Sequence, residues 1–389
     1  MKADLPVMAL LLCLPAFCAP ESRQRLGDDL SIGGRIVYLP SIYLNDTSSN
    51  WITGAGLHNR LEGAWYATDR LTLHAGWRNR LVYGEQVEEV PGYQERLTGR
   101  RGMIDLTAKL AEGASYTAYT QLDRIYADVF VRDWQVRIGR QRVNWGINLV
   151  WAPHDIFYAA QYVDFDYPEG AGIDAVSLRY YPAATSSVEA VVEGARDADS
   201  ISAAILGKVN VSKYDIQVLA GFVDGDLAAG AGISGAIGGA AVRGAATILH
   251  PRRSLEDTQT TVIAALSSDY TWPNGFYLHG SALVNSDGEW GKPGRQFPLR
   301  AGDVSVRNLT PSLLTLFAQV SHPLTPLLGV DIAAMTNPAD GSVLVYPSIN
   351  YSLHQHLDVA LIGLLFFGER GALFGVAHKQ IYARAAYHF

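Results

Sequence analysis

Cysteine is almost absent from this chain of 389 residues: it has two, Cys13 and Cys18, and both lie near the N-terminus. An apolar run over residues 5–17 follows Lys2 and ends in small residues, the pattern of a secretory signal peptide. The sequence therefore predicts a leader over residues 1–19. A mature chain over residues 20–389 then has no disulfide, thiolate metal site or cysteine nucleophile.

Cys18 leaves a second interpretation of the leader open, in which the chain is a lipoprotein attached through this thiol. The residues that precede it, Pro15, Ala16 and Phe17, make a poor lipid-attachment site. A cleaved leader without lipid attachment is favoured.

Long apolar runs and an excess of basic residues are also lacking. Beyond the leader, no stretch approaches the about 18 continuous apolar residues that a membrane-spanning helix needs. The formal net charge of −7 argues against a nucleic-acid partner. What the chain does have is 38 glycines, 20 tyrosines and 8 tryptophans, which fit short amphipathic strands bordered by interfacial aromatic residues.

The last twelve residues, 378–389, alternate in polarity from Ile381 onward. The odd positions from Ile381 to Phe389 are apolar, whereas the even positions are mixed or polar and include Gln380, Arg384 and His388. Period-two alternation predicts a strand with one apolar face. A strand of this kind that ends on phenylalanine resembles the assembly signal of Gram-negative outer-membrane β-barrels. The resemblance implies that the barrel-assembly machinery reads this strand.

The segment 71–81 shows which face of the strands is apolar. Leucines, Ala75 and Trp77 share one face, while the other face carries His74, Arg78 and Arg80. A dry core cannot hold these cations, because burial of unpaired charge costs several kcal/mol or more. They face water, as in the lumen of a membrane barrel whose apolar face is turned to lipid.

Segments that alternate between apolar and polar residues recur along the whole mature chain. This pattern predicts an all-β fold: a transmembrane antiparallel β-barrel of about 20 strands, with 18 as the alternative. Strands are expected first at Leu30–Leu44 and Leu57–Ala67. The apolar phase flips near Asp123 and Arg124, where a turn is favoured over a bulge that would lower the count. Counting back from the C-terminus places segments 144–171, 286–309 and 368–377 on the external side, opposite short periplasmic turns.

One segment has a more specific pattern. Gly139-Arg-Gln is followed by Trp145-Gly and then by Trp-x-Pro-x-Asp over 151–155. This pattern resembles that of a broad group of porin-like outer-membrane proteins. The resemblance implies an ordered loop over 144–171 that folds into the lumen and constricts it, without indicating a solute.

Opposed charges mark the candidate pore lining. Five arginines fall on predicted lumen faces and four carboxylates lie in the loop. They would set up a field across a constriction, or they would form structural salt bridges that pin the loop; both readings stay open. The candidates are Arg60, Arg78, Arg80, Arg137, Arg179, Asp155, Asp164, Asp166 and Glu169. Arg140 and Arg142 fall on the wrong parity, so they lie above the membrane or follow a bulge at Gly139.

Several motifs are discounted. The glycine pattern over 230–235 lacks the strand-turn-helix context of a dinucleotide site and is better explained by small residues in a crowded barrel wall. His154 and Asp155 lack a serine motif, and His354 and His356 lack further metal ligands. No catalytic residue, cofactor or metal is expected.

The sequence thus favours a porin in the bacterial outer membrane that passes small solutes by passive diffusion or uptake. The alternatives are a barrel enzyme of the lipase or protease type, or an export or structural barrel that depends on partners. The expected partners are outer-membrane lipids, lipopolysaccharide, the assembly machinery and small solutes. A homo-oligomer is compatible with the sequence.

Overall fold

The computed structural model describes residues 24–25, 29–45, 51–89, 102–159, 162, 167, 170–197, 200–252, 259–298, 304–376 and 378–389. The expected leader over 1–19 lies outside the described residues. Two short helices are found among the described residues: a single α-helical turn, α1 (Glu85–Glu89), and a 3-10 turn (Val306–Asn308). No helix in this part of the chain is long and apolar enough to span a bilayer.

Twenty strands make up a single antiparallel sheet in the described part of the chain. Their bounds are β1 (Gln24–Arg25), β2 (Leu30–Asn45), β3 (Trp51–Thr68), β4 (Leu71–Gly84), β5 (Thr107–Gly113), β6 (Tyr116–Val131), β7 (Trp134–Gln141), β8 (Ile173–Ala183), β9 (Ser186–Glu193), β10 (Ser202–Val211), β11 (Tyr214–Val223), β12 (Asp226–Ile237), β13 (Ala240–Pro251), β14 (Thr261–Thr271), β15 (Tyr277–Asn285), β16 (Leu314–Pro323), β17 (Leu328–Asn337), β18 (Ser342–His354), β19 (Leu357–Phe367) and β20 (His378–His388).

The sheet closes on itself where β20 pairs with β2. At the end of this seam, the backbone amides of Gly34 and Phe389 each donate to the other residue's carbonyl, at 2.8 and 3.0 Å. A Cβ at Gly34 would lie 2.4 Å from the Arg60 carbonyl oxygen and 2.9 Å from the Phe389 ring, so only glycine fits there. Closure leaves no open edge in the wall.

The closed wall has 18 strands, because β1 and β5 do not form part of it. β4 pairs directly with β6, and β5 is an extra strand on the part of β6 that β7 does not reach. The expected turn at Asp123 and Arg124 is wrong. β6 is continuous there, and its register against β4 shifts by one residue opposite Gly76 and Trp77, which is a bulge. These two features explain why the wall has 18 strands rather than 20.

Inner and outer faces alternate as the sequence predicts. In β14, Ile263 and Ala265 are buried inside the barrel, whereas Leu266 is 61% exposed on the outside. Large apolar side chains cover the outer surface elsewhere, among them Val218, Ile233, Ile332 and Leu361. Such an outer surface suits the hydrocarbon core of a bilayer.

The connections differ sharply between the two ends of the barrel. Every hairpin at one end, from 69–70 to 355–356, is two to five residues long. The other end carries the long connections 142–172, 286–313 and 368–377. This common end for the three long segments confirms the expected topology.

Lysine substitutions on adjacent residues of β17 test the outer face. Ile332→Lys places a charge on the apolar exterior, so we expect it to lower the free energy of unfolding in lipid vesicles by about 2–4 kcal/mol. Asp331→Lys is the matched control, because Asp331 faces the lumen, where it accepts a 3.1 Å hydrogen bond from Asn350. Urea titration measures both losses, and a larger loss at Asp331 would contradict the assignment of faces.

Candidate functional site: the barrel lumen and its inner loop

The connection between β7 and β8, residues 142–172, is here called the inner loop. Its described residues (142–159, 162, 167 and 170–172) fill the lumen on one side. Its apolar side chains are among the most buried of the described residues: Trp151 is fully buried and Trp145 is 2% exposed. Phe157 packs edge-on against Trp145, with ring centroids 5.1 Å apart. The described residues of the loop therefore lie inside the barrel and pack against one another there.

One contact region of the inner loop packs against β8–β13. Val143, Trp145 and Ile156 share a cluster with Leu219 and Leu249 of the wall. The Trp145 indole also donates a 2.9 Å hydrogen bond to the carboxylate of Glu189 on β9. Apolar packing and the hydrogen bond of the Trp145 indole N–H together hold this region of the loop against the wall.

Polar contacts attach the loop to β11, β13 and β14. The His154 ring lies within hydrogen-bond distance of the Gln217 side chain, at 3.2 Å, and of the Ala246 carbonyl, at 3.3 Å. Thr247 donates its hydroxyl to the Pro153 carbonyl at 2.8 Å. Asn148 donates to the Ser267 hydroxyl at 3.1 Å.

These contacts explain the glycines over 230–235. A Cβ at Gly232 would lie 2.7 Å from the His154 ring, and one at Gly230 would lie 3.1 Å from it. The small residues make room for the inner loop, in keeping with the crowded-wall interpretation. Sequence alone carried no signal that His154 was the neighbour.

The second contact region faces β14–β19. Trp151 joins Ile263, Phe317 and Met335 in a dry cluster. The connections 286–313 and 368–377 add Phe297, Leu309, Leu373 and Phe374 to the same cluster. This half of the lumen is therefore packed and apolar rather than lined only by polar side chains.

The opposite wall carries the arginines. Arg35, Arg60 and Arg78 are direct cross-strand neighbours on β2, β3 and β4. Arg60 is buried and bonds to Glu62 at 2.8 Å and to Asp123 at closer range. A cavity of about 340 Å³ lies beside this row. Its lining includes Ser31, Arg60, Glu62, His74, Arg124 and Tyr126.

The other predicted wall arginines are also placed. Arg137 pairs with Asp128 at 2.7 Å, and Arg179 pairs with Glu189 at 2.6 Å. Arg80 lies opposite His58 of β3, on the same face as Arg78. Arg137 and Arg179 therefore have counter-charges within the wall. These pairs were not predicted from the sequence, although Asp128 and Glu189 lie directly opposite the two arginines on neighbouring strands.

Asp155, the one candidate loop carboxylate among the described residues, does not face the arginine row as the sequence led us to expect. Asp155 is buried and pairs with Arg142 of the same loop at 2.7 Å. Burial raises the pKa of Asp155 to about 7, although the adjacent Arg142 lowers it. Asp164, Asp166 and Glu169 lie outside the described residues.

Arg140 lies on the outer face, where its parity places it. It binds Asp174 through two 2.7 Å hydrogen bonds, and the amide of Ile104 donates to Asp174 at 3.0 Å. The pairing of β6 with β7 continues in register past Gly139, so no bulge redirects Arg140 there.

His354 and His356, which the sequence analysis discounted as metal ligands, are neighbours in the structure. The rings of His354 and His356 lie 5.8 Å apart. Among the residues that the structure describes, no group of three or more histidine, cysteine or acidic side chains is arranged to hold a metal ion.

No protein-family model and no curated protein matches the chain. Solved structures match it in fold. It covers 93% of OccD3 (OpdP) of Pseudomonas aeruginosa over 95% of its own length, with 9% identity and a TM-score of 0.57. It covers 98% of OccAB2 of Acinetobacter baumannii over 92% of itself, with 9% identity and a TM-score of 0.58. The outer membrane protein opdK of Pseudomonas aeruginosa is covered to 98% by 92% of the chain, with 10% identity and a TM-score of 0.54. At such identities the likeness establishes the fold alone.

Removal of Trp151 tests how the inner loop is held. Trp151→Ala should remove about 3–5 kcal/mol of packing and expose the loop to protease, with the barrel still folded. Trp290→Ala is the matched control, because Trp290 is 69% exposed on a different connection. Chymotrypsin cleavage near Phe157 and Tyr158 in the Trp151 variant alone is the expected result. Equal cleavage of both variants would contradict this account of the loop.

Proposed function

We propose that the chain is an outer-membrane channel through which small solutes diffuse passively. The observation that carries the proposal is the arginine-lined cavity that remains in the lumen of a closed barrel with an apolar exterior. The inner loop fills the β14–β19 side, so the passage follows β2, β3, β4 and β6. Diffusion down a gradient needs no cofactor, only a lined pore.

The charges along this passage favour anions. Among the residues that line the cavity, the two arginines Arg60 and Arg124 outnumber the one carboxylate, that of Glu62. Fixed charges at a constriction set the selectivity of a pore. Small anionic solutes are therefore the proposed cargo.

The proposed location is the bacterial outer membrane, reached through cleavage of the leader over 1–19. Supporting it are the apolar exterior, the terminal strand that ends on Phe389, and the likeness in fold to an outer membrane protein of Pseudomonas aeruginosa. The remaining proposed partners are membrane lipids, lipopolysaccharide, the assembly machinery that reads β20, and further copies of the chain.

The enzyme alternative has less support. His154 and Asp155, the only candidate hydrolytic pair from the sequence, are both buried and serve different partners: His154 binds wall groups, and Asp155 binds Arg142. These contacts position the loop.

Conductance tests the proposal directly. The refolded mature protein in a planar bilayer should give steady single-channel currents, with a reversal potential under a salt gradient of the sign for anion preference. A folded, heat-modifiable barrel that carries no current would contradict the proposal.

Selectivity should depend on the arginine row. Arg78→Gln with Arg80→Gln removes two lumen charges, so we expect the anion-to-cation permeability ratio to fall on the order of twofold. The control is Arg70→Gln with Arg132→Gln, since these two exposed arginines lie in or beside the short hairpin turns. Reversal potentials compare the two double variants, which have the same net charge. An equal shift in both would remove Arg78 and Arg80 from the pore lining.

A further inference from the structure

The bulge in β6 gives the lumen an unusual pair of neighbours. Because one residue is added opposite Gly76 and Trp77, Asp123 and Arg124 both reach the lumen side of the strand, where strict alternation would allow only one. A Cβ at Gly76 would lie 2.9 Å from Arg124 and 3.1 Å from the Asp123 carboxylate. The glycine therefore leaves the space that the two side chains occupy.

Asp123 is the centre of the contacts that follow. Its carboxylate, 1% exposed, accepts short hydrogen bonds from the Arg60 guanidinium and from the hydroxyl of Tyr167 in the inner loop. The guanidinium of Arg78 lies 4.0 Å from the centre of the Tyr167 ring. One wall carboxylate thus joins the arginine row to the returning part of the inner loop.

Arg124 completes the connection. It donates to the Asp123 carbonyl at 2.9 Å and to the Gly170 carbonyl at 2.7 Å. We call Asp123, Arg60, Arg78, Arg124 and Tyr167 the clamp. The cavity lies directly beside it, because Arg60 and Arg124 line both.

We propose that Asp123 is the specificity-determining residue of the channel and couples anion passage to release of the inner loop. This inference rests on the proposed channel function. The Asp123 carboxylate, a negative charge fixed in the wall, pairs with the Arg60 guanidinium. An anion in the cavity competes for the same guanidinium, and each displacement of Asp123 weakens its hold on Tyr167. Selectivity and loop position are therefore set by one group.

Three variants separate the two roles. Asp123→Asn removes the charge and keeps the shape, so it should raise the anion-to-cation permeability ratio and also the single-channel conductance. Tyr167→Phe removes the hydroxyl with no change in charge, so it should raise conductance and leave the reversal potential unchanged. Asp128→Asn is the matched control, because it removes another carboxylate of β6. That carboxylate pairs with Arg137 of β7, so the protease sensitivity of the inner loop should not change.

The wild-type protein is measured first, with chloride as the permeating anion. If it carries no current, the channel function fails, and the clamp is judged by protease cleavage of the inner loop alone. If it conducts, about a twofold or larger rise in both quantities for Asp123→Asn supports the proposal. Unchanged reversal potential and conductance in this variant would overturn it. Should Asp123→Asn fail to fold, unchanged conductance and protease sensitivity in Tyr167→Phe would overturn the coupling.

Discussion

Closure of the sheet between β2 and β20 is the constraint on which the rest of the barrel depends. In hydrocarbon, each unpaired backbone group at an open edge would cost several kcal/mol, with no water to replace the lost hydrogen bond. The terminal strand therefore has to meet the first, and the exchange of backbone hydrogen bonds between Gly34 and Phe389 secures the end of that seam. Once the wall is closed, the parity of each strand decides which side chains meet lipid and which meet the lumen.

Within this wall the lumen is divided unequally. Trp151 and its neighbours fill the side of β14–β19 with apolar side chains, as in the core of a soluble protein. The other side places Arg35, Arg60 and Arg78 next to one another, an arrangement that like-charge repulsion would destabilise without counter-charges. Asp123 supplies one of these and also holds the inner loop. The same contacts that stabilise the arginines thus determine where an open passage remains.

Period-two patterns could be predicted from sequence because they are local. The alternation that ends at Phe389 and the common end of the long connections followed from them. The inward loop was implied instead by the resemblance of segment 139–155 to porin-like proteins. The count of strands did not, because the extra residue at Asp123 has the same pattern as a turn. Pairing across hairpins, as for Arg137 with Asp128, was within reach. The contacts of His154 were not, since they depend on how the inner loop crosses a lumen that no local pattern describes.

Thiol accessibility tests the division of the lumen most directly, because residues 20–389 contain no cysteine that would react. Single variants place a thiol in the cavity wall, His74→Cys, or in the filled half, Ala265→Cys. A small anionic methanethiosulfonate reagent is added to each in planar bilayers. We predict fast modification and loss of current for His74→Cys, and little change for Ala265→Cys. Faster modification at residue 265 would contradict a passage along the arginine wall.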